Sequence, residues 1–212
     1  MKQALRAPDW IALLARLRAL MEERKDFLIE LDGQVGDSDL GLTMSKGFAA
    51  AAEAVAGSSE PAGKLLMRAG MAIAKAAPST MGTLVATGFM RGGKALEGTE
   101  AAGTAELCRF WQAFLTGVME RGKAQPGEKT VVDALAPAVQ ALKDAEASGA
   151  GLGAALRAAA EAAATGVEAT KAMVAQRGKA AAFQEKTRGL PDAGATVGAM
   201  LLAAFRDHVV ET

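Results

Sequence analysis

The chain has 212 residues, half of them hydrophobic, and its 24 basic and 24 acidic side chains balance to zero formal charge. That length fits one domain, residues 1–212, and the absence of a basic excess, of tyrosine and of aromatic-rich stretches argues against a nucleic-acid partner. One cysteine, Cys108, and one histidine, His208, exclude an intrachain disulfide and two-histidine zinc chemistry, and leave little material for a catalytic triad.

About a quarter of the residues are alanine, the best helix former, and no run alternates with period two, so the expected fold is all-α. The first predicted helix runs unbroken from Asp9 to Glu30, with Ile11, Leu14, Leu17 and Met21 spaced for one buried face. Asp9, Arg16 and Arg18 rule out a signal peptide at this end. The second helix spans Leu40–Ala56 and stops at Gly57. The third, Pro61–Ala77, has Ser59 as candidate cap, and the fourth runs from Gly82 to Leu96. The fifth, Ala102–Arg121, carries Phe110, Trp111 and Phe114. A sixth begins at Thr130, where Thr130-Val-Val-Asp133 resembles a capping box. The alanine-rich seventh covers Ala154–Gln176, and the last runs from Ala193 to Val209 behind a candidate cap, Asp192. The longest uncharged run, Ala193 to Phe205, is too short to cross a bilayer, which needs roughly 18 residues. The expected protein is cytoplasmic, without membrane contact, and folds as a tightly packed antiparallel bundle.

Chemistry is expected in the loops that break the alanine pattern. In Leu31-Asp-Gly-Gln-Val-Gly-Asp-Ser-Asp-Leu-Gly41, three aspartates, Asp32, Asp37 and Asp39, fall among Gly33, Gly36 and Gly41. Short, hard carboxylates in a glycine-bent loop suit Mg²⁺ or Ca²⁺; the calcium-loop spacing and its terminal glutamate are missing, which favours Mg²⁺. On the residues alone, Asp39 equally fits a cap for the helix starting at Leu40. Gly122-Lys-Ala-Gln-Pro-Gly-Glu-Lys-Thr130 approaches a phosphate loop, but Glu128 separates glycine from lysine and a helix precedes it. Gly151-Leu-Gly153 lacks the third glycine of a dinucleotide fingerprint. Pro78-Ser-Thr-Met-Gly82 joins two helices and offers amides and hydroxyls to an anion.

Taken in order, "LDGQVGDSDLG", "RGKAQPGEKT" and "PDAGAT" between alanine-rich helices resemble the nucleotide-binding L subunit of dihydroxyacetone kinases, over nearly the whole chain. The resemblance implies a closed barrel of eight antiparallel amphipathic helices with ADP or ATP at one end. It implies two Mg²⁺ ions held by Asp32, Asp37 and Asp39, and nucleotide contacts at Leu40, Gly41, Leu42, Thr43, Ser79, Thr80, Met81, Gly82, Gly122, Val131, Lys179, Asp192, Ala193 and Gly194. Several of these depart from the family pattern. Leu40 replaces a common histidine, Met81 lacks a hydroxyl, Lys179 stands where arginine is frequent, and Ala193 replaces the proline of Asp-Pro-Gly. The implied activity is phosphoryl transfer to a small hydroxyketone, dihydroxyacetone or a tetrulose, held by a separate K subunit. A phosphotransferase-system M subunit would recharge bound ADP, or ATP would exchange. A regulatory role, with the ADP-loaded barrel binding a transcription regulator, is the non-catalytic alternative.

Overall fold

The computed structural model describes residues 2–211. Nine α-helices account for most of them: α1 (Ala7–Glu23), α2 (Lys25–Gly33), α3 (Leu40–Val55), α4 (Ala62–Ala76), α5 (Thr80–Ala95), α6 (Thr104–Gly122), α7 (Val132–Ala147), α8 (Leu152–Thr170) and α9 (Ala193–Val210). A 3₁₀ segment, Lys179–Thr187, lies between α8 and α9. Among the described residues the β pairing is confined to one isolated bridge, Leu5 with Ala102. Among the described residues no helix is long and apolar enough to cross a membrane.

From α3 to α9 each helix packs on the next, and α9 and α3 both pack on α1, which closes an eight-helix ring with α2 as an appendage on α3. Consecutive helices joined by short loops run antiparallel, so alternate loops must gather at opposite ends. They do. The α3–α4, α5–α6 and α7–α8 connections lie with the N-terminus: Leu5 pairs with Ala102, and the Thr104 hydroxyl donates to the Ala150 carbonyl at 3.0 Å. The α2–α3, α4–α5, α6–α7 and α8–α9 connections line one large cavity at the opposite end.

Aromatic side chains fill the ring. Trp10, Phe110, Trp111, Phe114 and Phe205 are fully buried in one cluster, with ring centroids 4.8–6.1 Å apart. Phe89 and Phe48 extend it towards α3. Alanine and glycine supply the close helix contacts. A Cβ at Gly166 would overlap the Asp133 carbonyl, so α7 and α8 approach backbone to backbone there.

The structure corrects several expected boundaries. The first helix breaks at Arg24 (φ −92°, ψ 6°) into α1 and α2. Nothing in the sequence marks the break, because Leu28 continues the phase of Leu14, Leu17 and Met21. Its reason is tertiary: α2 must turn to meet α3, where Gly41 sits against the Lys25 carbonyl. Ser59 caps nothing; Pro61 is the residue before α4. The expected capping box before α7 is half made. The Asp133 carboxylate accepts from Thr130 N at 2.7 Å, but the Thr130 hydroxyl takes Val132 N. Helix α8 ends at Thr170, six residues short of the expected Gln176, and the remainder joins a loop that reaches the cavity at Arg177–Ala180. Asp192 caps α9 as expected, accepting from Ala195 N at 2.6 Å.

Candidate nucleotide and metal site

The cavity has a volume of about 840 Å³, within the range of small-molecule sites. Its two sides differ chemically. Met81, Leu84, Val118, Ala124, Val131 and Val132 form an apolar wall, and the aspartate loop with Lys179 forms a charged one.

The charged wall is built by the turn between α2 and α3. Asp32 lies in the last turn of α2, Asp37 in the loop, and Asp39 just before α3. Asp32 Oδ2 accepts from Asp39 N at 3.0 Å and, more weakly, from Leu40 N at 3.4 Å. That interaction answers the question the sequence left open: Asp39 occupies the cap position, but its own carboxylate makes no capping bond. Its backbone is helical (φ −100°, ψ −12°) rather than extended, so the side chain does not reach back over the first turn. A Cβ at Gly36 would collide with the Asp32 carboxylate, so glycine is needed for the chain to pass there. One oxygen from each of Asp32, Asp37 and Asp39 lies within 4.8 Å of the others. Burial, and then the neighbouring Asp32 charge, raise the Asp39 carboxyl above its ordinary range. Three hard oxygens converging where one acid is already reluctant to ionise make a donor set that fits Mg²⁺.

The Lys179 ammonium pairs with Asp37 and lies 3.9 Å from Asp39. At the same cavity, α5 begins at Thr80. The Ser79 hydroxyl accepts from Gly82 N at 3.1 Å, while the amides of Thr80 and Met81 carry the positive end of the helix dipole. Ser79 Oγ keeps its own proton to donate.

Of the residues singled out from sequence, Asp32, Asp37, Asp39, Leu40, Ser79, Thr80, Met81, Gly122, Val131, Lys179, Asp192, Ala193 and Gly194 line the cavity. Gly41, Leu42, Thr43 and Gly82 do not. Gly41 is pressed on α2, Leu42 is 44% exposed, Thr43 is buried in α3, and a Cβ at Gly82 would overlap the Ala77 carbonyl. The cavity also brings in Arg121, Lys129, Thr130 and Arg177, which the sequence reading did not assign to the site. Three of them, Arg121, Lys129 and Thr130, lie in or beside the "RGKAQPGEKT" motif. The signal was there, but only a folded chain shows which cations face inward. The rejection of that motif as a phosphate loop agrees with the geometry, since Lys129 Nζ donates to the carbonyls of Thr170 and Leu190, both at 2.6 Å.

The family model for the DAK2 domain matches residues 34–207. The chain belongs to the DAK2 domain family. It is 31% identical over 184 residues to a protein of Escherichia coli K12 named PEP-dependent dihydroxyacetone kinase, ADP-binding subunit DhaL, covering 86% of this chain and 88% of that one. It is 33% identical over 206 residues to an L-erythrulose 1-kinase of Mycolicibacterium smegmatis, covering 96% of this chain but 36% of that longer one. Among solved structures, the dihydroxyacetone kinase of C. freundii in complex with AMP-PNP and Mg²⁺ superposes with a TM-score of 0.70 at 24% identity. That likeness covers 93% of this DAK2 chain and a third of the kinase, and it shows that the all-α barrel is shared.

Proposed function

We propose that this DAK2 chain is the nucleotide-binding subunit of a hydroxyketone kinase: it holds Mg²⁺ and ADP or ATP and passes a phosphoryl group to a small ketone on a separate K subunit. The observation that carries this reading is the convergence of Asp32, Asp37 and Asp39 at the rim of a cavity with one apolar and one charged wall. The named functions of the E. coli and M. smegmatis relatives support it.

Asp32, Asp37 and Asp39 would hold the metal, two ions by family resemblance. Bound Mg²⁺ would neutralise charge on the phosphates and keep their oxygens in register. The chain's own groups do the rest. Val131, Val118 and Leu84 receive the base on the apolar wall. The Thr80 and Met81 amides, with the Ser79 and Thr80 hydroxyls, donate to phosphate oxygens. Lys179, released from Asp37 when a metal takes that carboxylate, supplies a mobile cation for charge that develops during transfer. Asp192, Ala193 and Gly194 shape the turn beside Val131. The aspartates serve as ligands and not as proton acceptors.

The ADP-binding relatives favour ADP as a retained cofactor, recharged by a phosphotransferase-system M subunit in the cytoplasm. Protein purified by gel filtration should then carry nearly stoichiometric ADP by mass spectrometry. Empty protein that turns over with a K subunit and ATP alone would reverse that assignment. The 33% identity to an erythrulose kinase supports a second reading, with a tetrulose as acceptor. Assaying the complex with dihydroxyacetone and with D- and L-erythrulose decides between them.

A further inference from the structure

The longest loop at the cavity runs from the end of α8 to the start of α9 and carries both Arg177 and Lys179. Its two ends meet. Thr170 O and Leu190 O, 20 residues apart in sequence, both accept from Lys129 Nζ at 2.6 Å. Gly189 N donates to Lys171 O at 2.8 Å, and Asp192 N donates to the Thr170 hydroxyl at 2.9 Å, across the same neck. The segment 171–190 is thus a strap closed at its neck.

Lys129 is an unusual residue to find at such a place. It is 2% exposed, and its backbone sits in the left-handed region (φ 59°), which non-glycine residues seldom adopt. Its loop is fixed beneath it by Asp133, whose carboxylate accepts from Gly127 N and Thr130 N at 2.5 and 2.7 Å. Burial lowers the lysine's pKa, against the opposing charge of Asp192 and Asp133. A cation is costly to bury, and a methionine would fill the same volume without that cost. What the ammonium adds is a bond to each end of the strap. The adjacent Glu128 fixes the strap a second time, taking Arg177 through two bonds of 2.8 and 2.9 Å.

We propose that Lys129 is a positioning residue: its ammonium clamps the neck of the 171–190 strap so that Lys179 arrives over the aspartate loop. The consequence for nucleotide binding rests on the function proposed above; the clamp itself does not. Hydrogen exchange and Mg²⁺–ADP calorimetry on the full chain separate the two. In Lys129→Met, amides of 171–190 should exchange at least tenfold faster while those inside α3–α6 keep their rates, and the Mg²⁺–ADP dissociation constant should rise about tenfold. Lys129→Arg, which retains a multi-donor cation, should restore both to within threefold. Strap exchange unchanged by Lys129→Met overturns the clamp; a loosened strap with unaltered Mg²⁺–ADP affinity upholds the clamp and overturns its role in placing Lys179 for nucleotide binding. If Lys129→Met does not fold, Thr170→Val, which removes a separate tie at the same neck, is read by the same measurements. If neither folds, strap amides of the wild type exchanging as fast as an unstructured peptide would overturn it, and protection matching the adjoining helix ends would uphold it. Wild-type protein that binds no Mg²⁺–ADP sinks the nucleotide reading and leaves the exchange data to judge the clamp.

Discussion

Asp37 reaches the cavity from a loop, and its partner in the structure is the Lys179 ammonium. A divalent cation competes for that same carboxylate, so Asp37→Asn removes a ligand without disturbing the Asp32 bond that shapes the turn. Mg²⁺–ADP at a hundred times its dissociation constant should stabilise the wild type by about 2.7 kcal/mol. The variant should lose most of that gain, read as the shift in melting temperature with and without nucleotide. Asp192 behaves differently. Burial pushes its carboxyl up to about 6, although Ala195 N and Lys129 oppose the shift. The folded state therefore holds a proton that the unfolded chain has released between its ordinary value of 3.8 and about 6. Stability contributed by this group falls as pH rises through that window. Asparagine keeps the cap acceptor and cannot ionise, so the stability of wild type relative to Asp192→Asn should decline between about pH 4 and 6. Thermal unfolding of both proteins across that range checks it, and a flat difference would show that Asp192 ionises freely. Both aspartates were legible in the sequence because their types and glycine spacing report local chemistry. Lys129 was not, since its role depends on carbonyls 41 and 61 residues away.

Elements were legible where one helix face sufficed to define them, and the failures fall where tertiary contact decides. The α1–α2 break lies in a phase-continuous apolar pattern, so periodicity alone runs through it. The strap after Thr170 has helix-forming alanines, yet its ends are drawn together by Lys129 and by Lys171 O instead of continuing α8. The α2–α3 contact shows how closely an element can control the site. Gly41 packs on the Lys25 carbonyl, with no space for a Cβ. Helix propensity alone would favour alanine there by up to about 1 kcal/mol. Overpacking against a backbone oxygen costs about 1–3 kcal/mol, and it acts between the helix that ends after Asp32 and the one that begins after Asp39. Gly41→Ala should therefore lower the melting temperature, by about 2–4 °C per kcal/mol lost in a chain of this size, and weaken Mg²⁺–ADP binding as well. Gly151→Ala, with open space around its Cβ position, is the matched control. If both variants melt alike, the α2–α3 contact does not constrain the loop.

At the scale of the whole molecule, ring closure puts the four cavity loops at one end and the described ends of the chain, Lys2 and α9's last turn, at the other. Composition supported a helical bundle, but the closure of α9 onto α1 needed contacts between residues nearly the whole chain apart, such as Lys2 N to Val209 O at 2.9 Å. The same geometry separates the cavity proposed to hold the nucleotide from His208. Ala193 lies on the cavity, and His208 sits 15 residues further along α9, about 22 Å at 1.5 Å per residue. Its charged neighbours, Lys2, Asp9 and Arg16, belong to the opposite end, and burial holds its imidazole below the ordinary range. A group there cannot hold a ketone against a phosphate in the cavity. No other histidine exists in the chain, and the buried Cys108 thiol, raised to about 11 by burial and then by Glu146, is a poor nucleophile at neutral pH. The proposed site therefore arranges a phosphoryl donor, while neither His208 nor the Cys108 thiol lies where it could hold the acceptor ketone against it. Positioning of the two reactants is worth roughly 7–11 kcal/mol of barrier in favourable cases, so the loss should be close to complete. The purified chain with Mg²⁺–ATP should transfer no measurable phosphate to dihydroxyacetone or erythrulose until a K subunit is added. A coupled assay for ADP release, run with the chain alone and then with the complex, makes the comparison. Robust turnover by the chain alone would mean that the acceptor site lies within this barrel, and that the division of labour argued from His208 is wrong.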